Sequence, residues 1–313
     1  MRLKQSYLIV AFATLILLTS VPFVTAQGDG IEYQYTAGIA SMTTDDIGVK
    51  VTAFDQVPHF HWWNASSPGN DYHVMFLKLF EANDTNNDGK FNPESDRIIG
   101  IPYLLPSTNW VFSDFEIVEE NSLVTEVHFN FTTTTAFTPS LPTLPIEIPE
   151  SFDVTIQIRV HVDTGNPHEM KFDIVISGWT WIYADSILVF GFTVTESAHG
   201  VDQGTNEPAS VSLEGNRFSF NEGYMVYAEQ AQAGESIVQV QGTQGLGTEE
   251  DNSESIYLAF EYFGEETLEY DPILGITTGE GGNGFGIDYS QLLLLTAGVS
   301  VVIFVLLLAR IKR

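Results

Sequence analysis

Three histidines lie close together in the chain: His59, His61 and His73. In His59-Phe60-His61-Trp62-Trp63 an extended backbone puts His59 and His61 on one face, because strand side chains alternate sides. His73 opens the next strand-like segment, so three imidazoles can converge on a transition ion such as copper or zinc. The competing reading is a set of surface or hydrogen-bonded histidines beside core tryptophans. Trp62 and Trp63, with Trp179 and Trp181, also offer flat faces on which a sugar ring could stack. Trp179 and Trp181 alternate, which predicts one shared strand face, most often a core face. A second concentration of chemistry follows at once, an oxygen-rich run from Asp84 to Asp96.

That run reads Asp-Thr-Asn-Asn-Asp-Gly-Lys-Phe-Asn-Pro-Glu-Ser-Asp. It resembles the calcium loop of the EF-hand, dockerin and thrombospondin type-3 families, whose core is Asp-x-Asn/Asp-x-Asp-Gly-x-apolar. The resemblance implies a structural Ca²⁺, a hard cation that takes six to eight oxygens. It assigns Asp84, Asn86 and Asp88 to loop positions one, three and five, and the Lys90 carbonyl to position seven. Gly89 makes the sharp turn, Phe91 anchors the loop in the core, and Asn92 holds the often water-mediated ninth position. Position twelve is Ser95, where EF-hands carry a bidentate Glu. Glu94 and Asp96 are the neighbouring carboxylates that can bend in, and Asp96 completes the expected set. Pro93 argues against a helix after the loop, and Val74 to Phe80 reads as a strand before it. The expectation is a lone loop between strands; the bland alternative is a solvated Asx-rich turn.

Signatures of catalysis are missing. The sequence has no Gly-x-Ser-x-Gly elbow, no His-Glu-x-x-His, no P-loop and no dinucleotide fingerprint. It has no cysteine, which excludes thiol nucleophiles, Cys-ligated zinc, iron–sulfur clusters and disulfide staples. Carboxylate pairs such as Asp114 and Glu116 carry little weight in a chain with 41 acidic residues.

The elements that must position these groups are strands. Val154, Ile156, Ile158, Val160 and Val162 alternate with polar residues, and Phe172, Ile174 and Ile176 repeat the pattern. Leu123 to Phe131, Ile187 to Val194, Phe218 to Tyr227, Ile237 to Val240 and Ile256 to Phe263 read as further strands, separated by polar turns. No stretch between the two ends shows a sustained helical stripe. The expected fold is all-β, an antiparallel β-sandwich built as one large or two small sandwiches. Thr132 to Pro149 is rich in Thr and Pro and predicts a loop, an edge or a hinge, with a possible subdivision near 132–149.

The ends predict the topology. Residues 1–26 combine a basic start, an apolar run and a small residue before Gln27, as in a secretory signal peptide. Residues 27–274 form the expected ectodomain and 275–288 a Gly-rich stalk. Residues 289–309 are long and apolar enough for one transmembrane helix, and the basic tail 310–313 predicts a cytoplasmic C-terminus. The tripartite tail also resembles the sorting signals of archaeal and bacterial surface proteins, which can be processed. Seven basic residues against 41 acidic ones leave residues 27–288 with a formal charge of −34. Such a field disfavours nucleic acid and attracts cations. Asn64, Asn83 and Asn130 begin N-glycosylation sequons. Together these features predict a membrane-anchored surface protein, archaeal in character, that is structural or recognises a surface protein, glycan or envelope component. The alternative is an anchored ectoenzyme acting on glycans or using a His-ligated metal.

Overall fold

The computed structural model describes residues 30–36, 38–52, 57–139, 151–199, 207–208, 210–245 and 254–277. The expected signal peptide, transmembrane segment and basic tail lie outside these residues. All described residues belong to the first of two units, which divide between Thr278 and Gly279. Among them no helix is long and apolar enough to cross a membrane.

The described chain is all-β. Its strands are β1 (Glu32–Thr36), β2 (Ile39–Thr43), β3 (Ile47–Thr52), β4 (His59–Asn64), β5 (Asn70–Asn83), β6 (Arg97–Leu104) and β7 (Val111–Phe112). They continue as β8 (Glu116–Glu120), β9 (Leu123–Phe137), β10 (Phe152–Asp163), β11 (Glu169–Ser177), β12 (Ile187–Ala198), β13 (Glu207–Pro208) and β14 (Ser212–Glu214). The last seven are β15 (Arg217–Phe220), β16 (Gly223–Val226), β17 (Gln230–Ala233), β18 (Ser236–Gln244), β19 (Glu254–Phe260), β20 (Leu268–Tyr270) and β21 (Ile273–Ile276). One short 3₁₀ turn, Leu105–Ser107, interrupts them.

Every pairing is antiparallel. A front sheet runs β1-β2-β3-β4-β5-β12-β19-β18, with β6 continuing the β4 edge of β5 and β13 beside the far end of β12. A back sheet runs β8-β9-β10-β11, then β21-β16-β15-β14, with β20 beside β11 and β17 beside β20. β18 pairs with β17 at its start and β19 at its end, so one strand links the two sheets.

The sheets face each other across a shared core. Phe60 and Phe76 of the front sheet meet Phe172 of the back sheet, each at 5.8 Å between ring centroids. Trp62 meets Phe220 at 6.2 Å, and its indole N–H donates to the Gly275 carbonyl at 3.1 Å. The alternation read from the sequence is what builds this core: Val154, Ile156, Ile158, Val160 and Val162 are all buried, while the residues between them are not. Burying each large apolar side chain contributes about 1.5–3 kcal/mol. A smaller apolar cluster lies apart from this core: Phe80, Ala82, Phe91, Ile187, Val189 and Ala259.

Several expectations need correcting. Thr132 to Phe137 are not loop but the last six residues of β9, paired residue for residue with β10. Their threonines suit a strand by β-branching, and the prolines begin only at Pro139. A single main core reaches from Ile31 to Ile276, so the described residues form one body rather than two small ones. Gly275 and Ile276 lie inside β21, so the Gly-rich stretch begins within the sheet. Trp179 and Trp181 stand on the connection before β12, not on a strand: Trp179 stacks on Phe137, and Trp181 donates to the Gly264 carbonyl at 2.8 Å.

Gly48 is required by a close approach. A Cβ there would lie 2.1 Å from Cε2 of Trp63, its cross-strand partner. Gly48→Ala must displace the indole, with an expected loss of about 1–3 kcal/mol. Urea unfolding followed by tryptophan fluorescence measures it.

Candidate metal centres and an imidazole cleft

The calcium-like loop joins β5 to β6. Asp84, half-buried at its start, accepts the Gly89 N–H at 2.7 Å on Oδ2 and the Asp88 N–H at 3.3 Å on Oδ1. Asp88 in turn accepts the Lys90 N–H at 2.9 Å, and Asn86 donates to Asp88 Oδ2 at 2.9 Å. Gly89 has φ of +74°, a left-handed conformation that favours glycine. Phe91 is buried, edge-on to Phe80 and Tyr257, each at 5.0 Å. Of the two neighbouring carboxylates, Asp96 is the one turned into the loop. It is buried and accepts the Asn92 N–H at 2.7 Å and the Thr85 N–H at 3.1 Å. Glu94 stays exposed. Asn86, Asp88, Lys90 and Asn92 are exposed.

The three histidines meet on the outer face of the front sheet. Pairing of β4 with β5 sets His61 opposite His73 and His59 opposite Met75, while Phe60 and Trp62 fill the core on the other side. Ring centroids are 4.3 Å apart for His59 and His61, 4.2 Å for His61 and His73, and 5.4 Å for His59 and His73. One nitrogen from each ring lies within 4.8 Å of the other two. His73 Nε2 pairs with Ser197 Oγ of β12 at 2.8 Å, whereas its Nδ1 is buried without a hydrogen-bond partner. Lys50 of β3 is the cross-strand neighbour of His61.

These surroundings keep the imidazoles neutral. Burial pushes His59 down to about 4, helped by the Lys50 charge. His61 is pushed to about 2, by burial first and then by His59, His73 and Lys50. His73 falls to about 4 through burial, His59 and Lys50. At neutral pH the cluster therefore offers lone pairs rather than charges.

A third arrangement was not visible in the sequence. On the outer face of the back sheet, His128 of β9 pairs directly with His161 of β10. Their Nδ1 atoms are 2.6 Å apart, His128 Nε2 lies 3.0 Å from Glu126, and His161 Nε2 lies 2.9 Å from Asp173. The pair lines a cleft of about 470 Å³ with Glu116, Asn130, Arg159 and Ser113. His128 and His161 are 33 residues apart, so only strand pairing brings them together.

No family model matches the chain, and no curated protein matches it. Among solved structures, the heparan sulfate lyase HepC from Pedobacter heparinus overlaps 80% of this chain and 39% of its own, at 12% identity and a TM-score of 0.32. A mutant of that lyase overlaps 77% of this chain and 37% of its own, at 10% identity and a TM-score of 0.32. The chain thus spans about two fifths of the length of these structures, and at this level of similarity they assign it neither family nor activity.

Proposed function

We propose that this chain is a membrane-anchored cell-surface protein whose antiparallel β-sandwich is stabilised by calcium at the Asp84–Asp96 loop and serves structure or recognition. The observation that supports the calcium reading is that Asp84 and Asp96 both turn their carboxylates onto the loop's own backbone N–H groups, while Phe91 is seated in an apolar cluster. Carboxylates already held by backbone N–H groups need little rearrangement to take a hard cation. A cation bound only by the folded state stabilises it by RT ln(1 + [L]/Kd), about 2.7 kcal/mol at a hundredfold excess.

Recognition of a surface protein, a glycan or an envelope component fits the exposed edge where β1 of the front sheet meets β7 and its following turn in the back sheet. There Tyr35 stacks on Phe112 at 4.2 Å with planes 4° apart, and Tyr33 meets Phe115 edge-on at 5.3 Å. Tyr33 and Tyr35 are exposed, and aromatic rings of this kind suit sugars, which stack their C–H face on them.

The calcium reading predicts a melting temperature that falls several degrees when a chelator is added and recovers with Ca²⁺. Asp84→Ala plus Asp88→Ala should abolish that response. A melt indifferent to chelator, and unchanged by the double substitution, overturns it. A glycan array, repeated with Tyr35→Ala, tests the recognition surface.

A further inference from the structure

We propose that His59, His61 and His73 form a copper-binding site on the outer face of the front sheet, with the thioether of Met75 as an additional soft donor. This does not rest on the calcium loop, which is built from different residues.

Buried polar atoms are almost always satisfied, and each exception calls for an explanation. His73 Nδ1 is one of only five such side-chain atoms among the described residues. When Nε2 carries the proton and donates it to Ser197 Oγ, Nδ1 keeps a bare lone pair within a cluster whose ring nitrogens lie within 4.8 Å of one another. That is the usual arrangement of a metal-binding histidine, whose other nitrogen is held by a hydrogen bond from the neighbouring shell. The contrast with His128 and His161 is informative. There every ring nitrogen is engaged, by the other ring or by a carboxylate, and nothing is left over for an ion.

The spacing of the rings suits an ion. Metal–imidazole bonds of about 2.0–2.1 Å bring ligand nitrogens to roughly 3–4 Å of one another. Nitrogens within 4.8 Å on two paired strands reach that by side-chain rotations of about 1 Å.

The choice of copper follows from the donors. Nitrogen sites favour Cu²⁺ over the other divalent first-row ions, and thioethers select Cu⁺. Met75 stands directly across from His59 and two residues from His73, so the backbone places it on the same outer face as all three rings. Carboxylates would be expected at a hard-cation site, and neither cross-strand neighbour of His61 supplies one: they are Lys50 and His73.

The experiment is a titration of the full-length chain, kept in Ca²⁺ buffer, with Cu²⁺ and with Cu⁺ against a competing chelator. The expected result is one equivalent of Cu²⁺, with nitrogen hyperfine structure from histidine imidazoles in its EPR spectrum. Replacing all three histidines by Gln should lower affinity at least about 100-fold, and Ser197→Ala about 10-fold. Met75→Leu should weaken Cu⁺ binding more than Cu²⁺ binding. His128→Ala plus His161→Ala should leave both unchanged, and circular dichroism confirms that each variant is folded. Absence of stoichiometric copper, tighter binding of zinc than of copper, or loss of binding in the His128/His161 variant instead would each overturn the assignment.

Discussion

Replacing Glu81 by alanine should destabilise the protein by about 2–5 kcal/mol, the sum over the backbone donors it leaves without an acceptor. Glu81 lies on β5 and is only 1% exposed. Its carboxylate accepts the Ile182 N–H at 2.8 Å, the Tyr183 N–H at 2.7 Å and the Ser186 hydroxyl at 2.6 Å. These donors belong to the connection that carries Trp179 and Trp181 into β12. Removal of the carboxylate leaves the Ile182 and Tyr183 N–H groups without this acceptor, at about 1–3 kcal/mol each, while the Ser186 hydroxyl keeps the Tyr183 carbonyl at 2.7 Å. Burial raises the Glu81 carboxyl above its ordinary value, while the three hydrogen bonds oppose that rise. Because the folded state holds this proton more tightly than the unfolded chain, titration of Glu81 lowers stability as pH climbs above the ordinary carboxyl range. Glu81→Gln keeps one acceptor oxygen and should lose less, about 1–3 kcal/mol. Chemical denaturation at pH 7 decides the matter. A loss below about 1 kcal/mol for Glu81→Ala would show that the connection is held by something else.

The second large effect is acid lability of the metal-free chain. His59 and His73 titrate near 4 and His61 near 2 in the folded state, against an ordinary value of 6.5. Unfolded histidines therefore bind protons between pH 6.5 and 4 while folded ones do not. The unfolded state binds more protons over that window, so stability is greatest above it and falls as pH drops through it. The shift at His73 alone corresponds to about 3 kcal/mol, and the three rings are coupled, so their total is not a simple sum. Urea midpoints measured with EDTA at pH 7.5, 6, 5 and 4 should fall steeply. Carboxylates elsewhere contribute as well, which is why the comparison is with the chain carrying Gln at positions 59, 61 and 73. That variant should show a distinctly flatter profile. Identical slopes would mean that the histidines are as solvated when folded as when unfolded.

Strand-forming segments were legible because their cause is local. The alternation from Val154 to Val162 needs only a two-residue period and a core on one side, and β10 follows it. The shared face of His59 and His61 and the anchor position of Phe91 are local in the same sense. Misreadings arose where composition stood in for context. Thr132 to Phe137 looked loop-like beside prolines, but pairing with β10 holds it extended. The spacing of Trp179 and Trp181 suggested a strand, but the connection is shaped by the buried Glu81 and by Gly178, whose φ is +76°.

By itself the sequence determined the all-β class, the strand periodicity and the residue types able to hold an ion, because these depend on side-chain chemistry and spacing along one segment. Only the tertiary structure decided that His73 faces His61, that His128 meets His161, and that Asp96 rather than Glu94 turns into its loop. It alone also left one nitrogen of His73 without a partner. Antiparallel register joins residues from separate strands, and a shift of one residue would send every side chain to the opposite face. Register is set by the whole core closing at once, and no single segment carries that information.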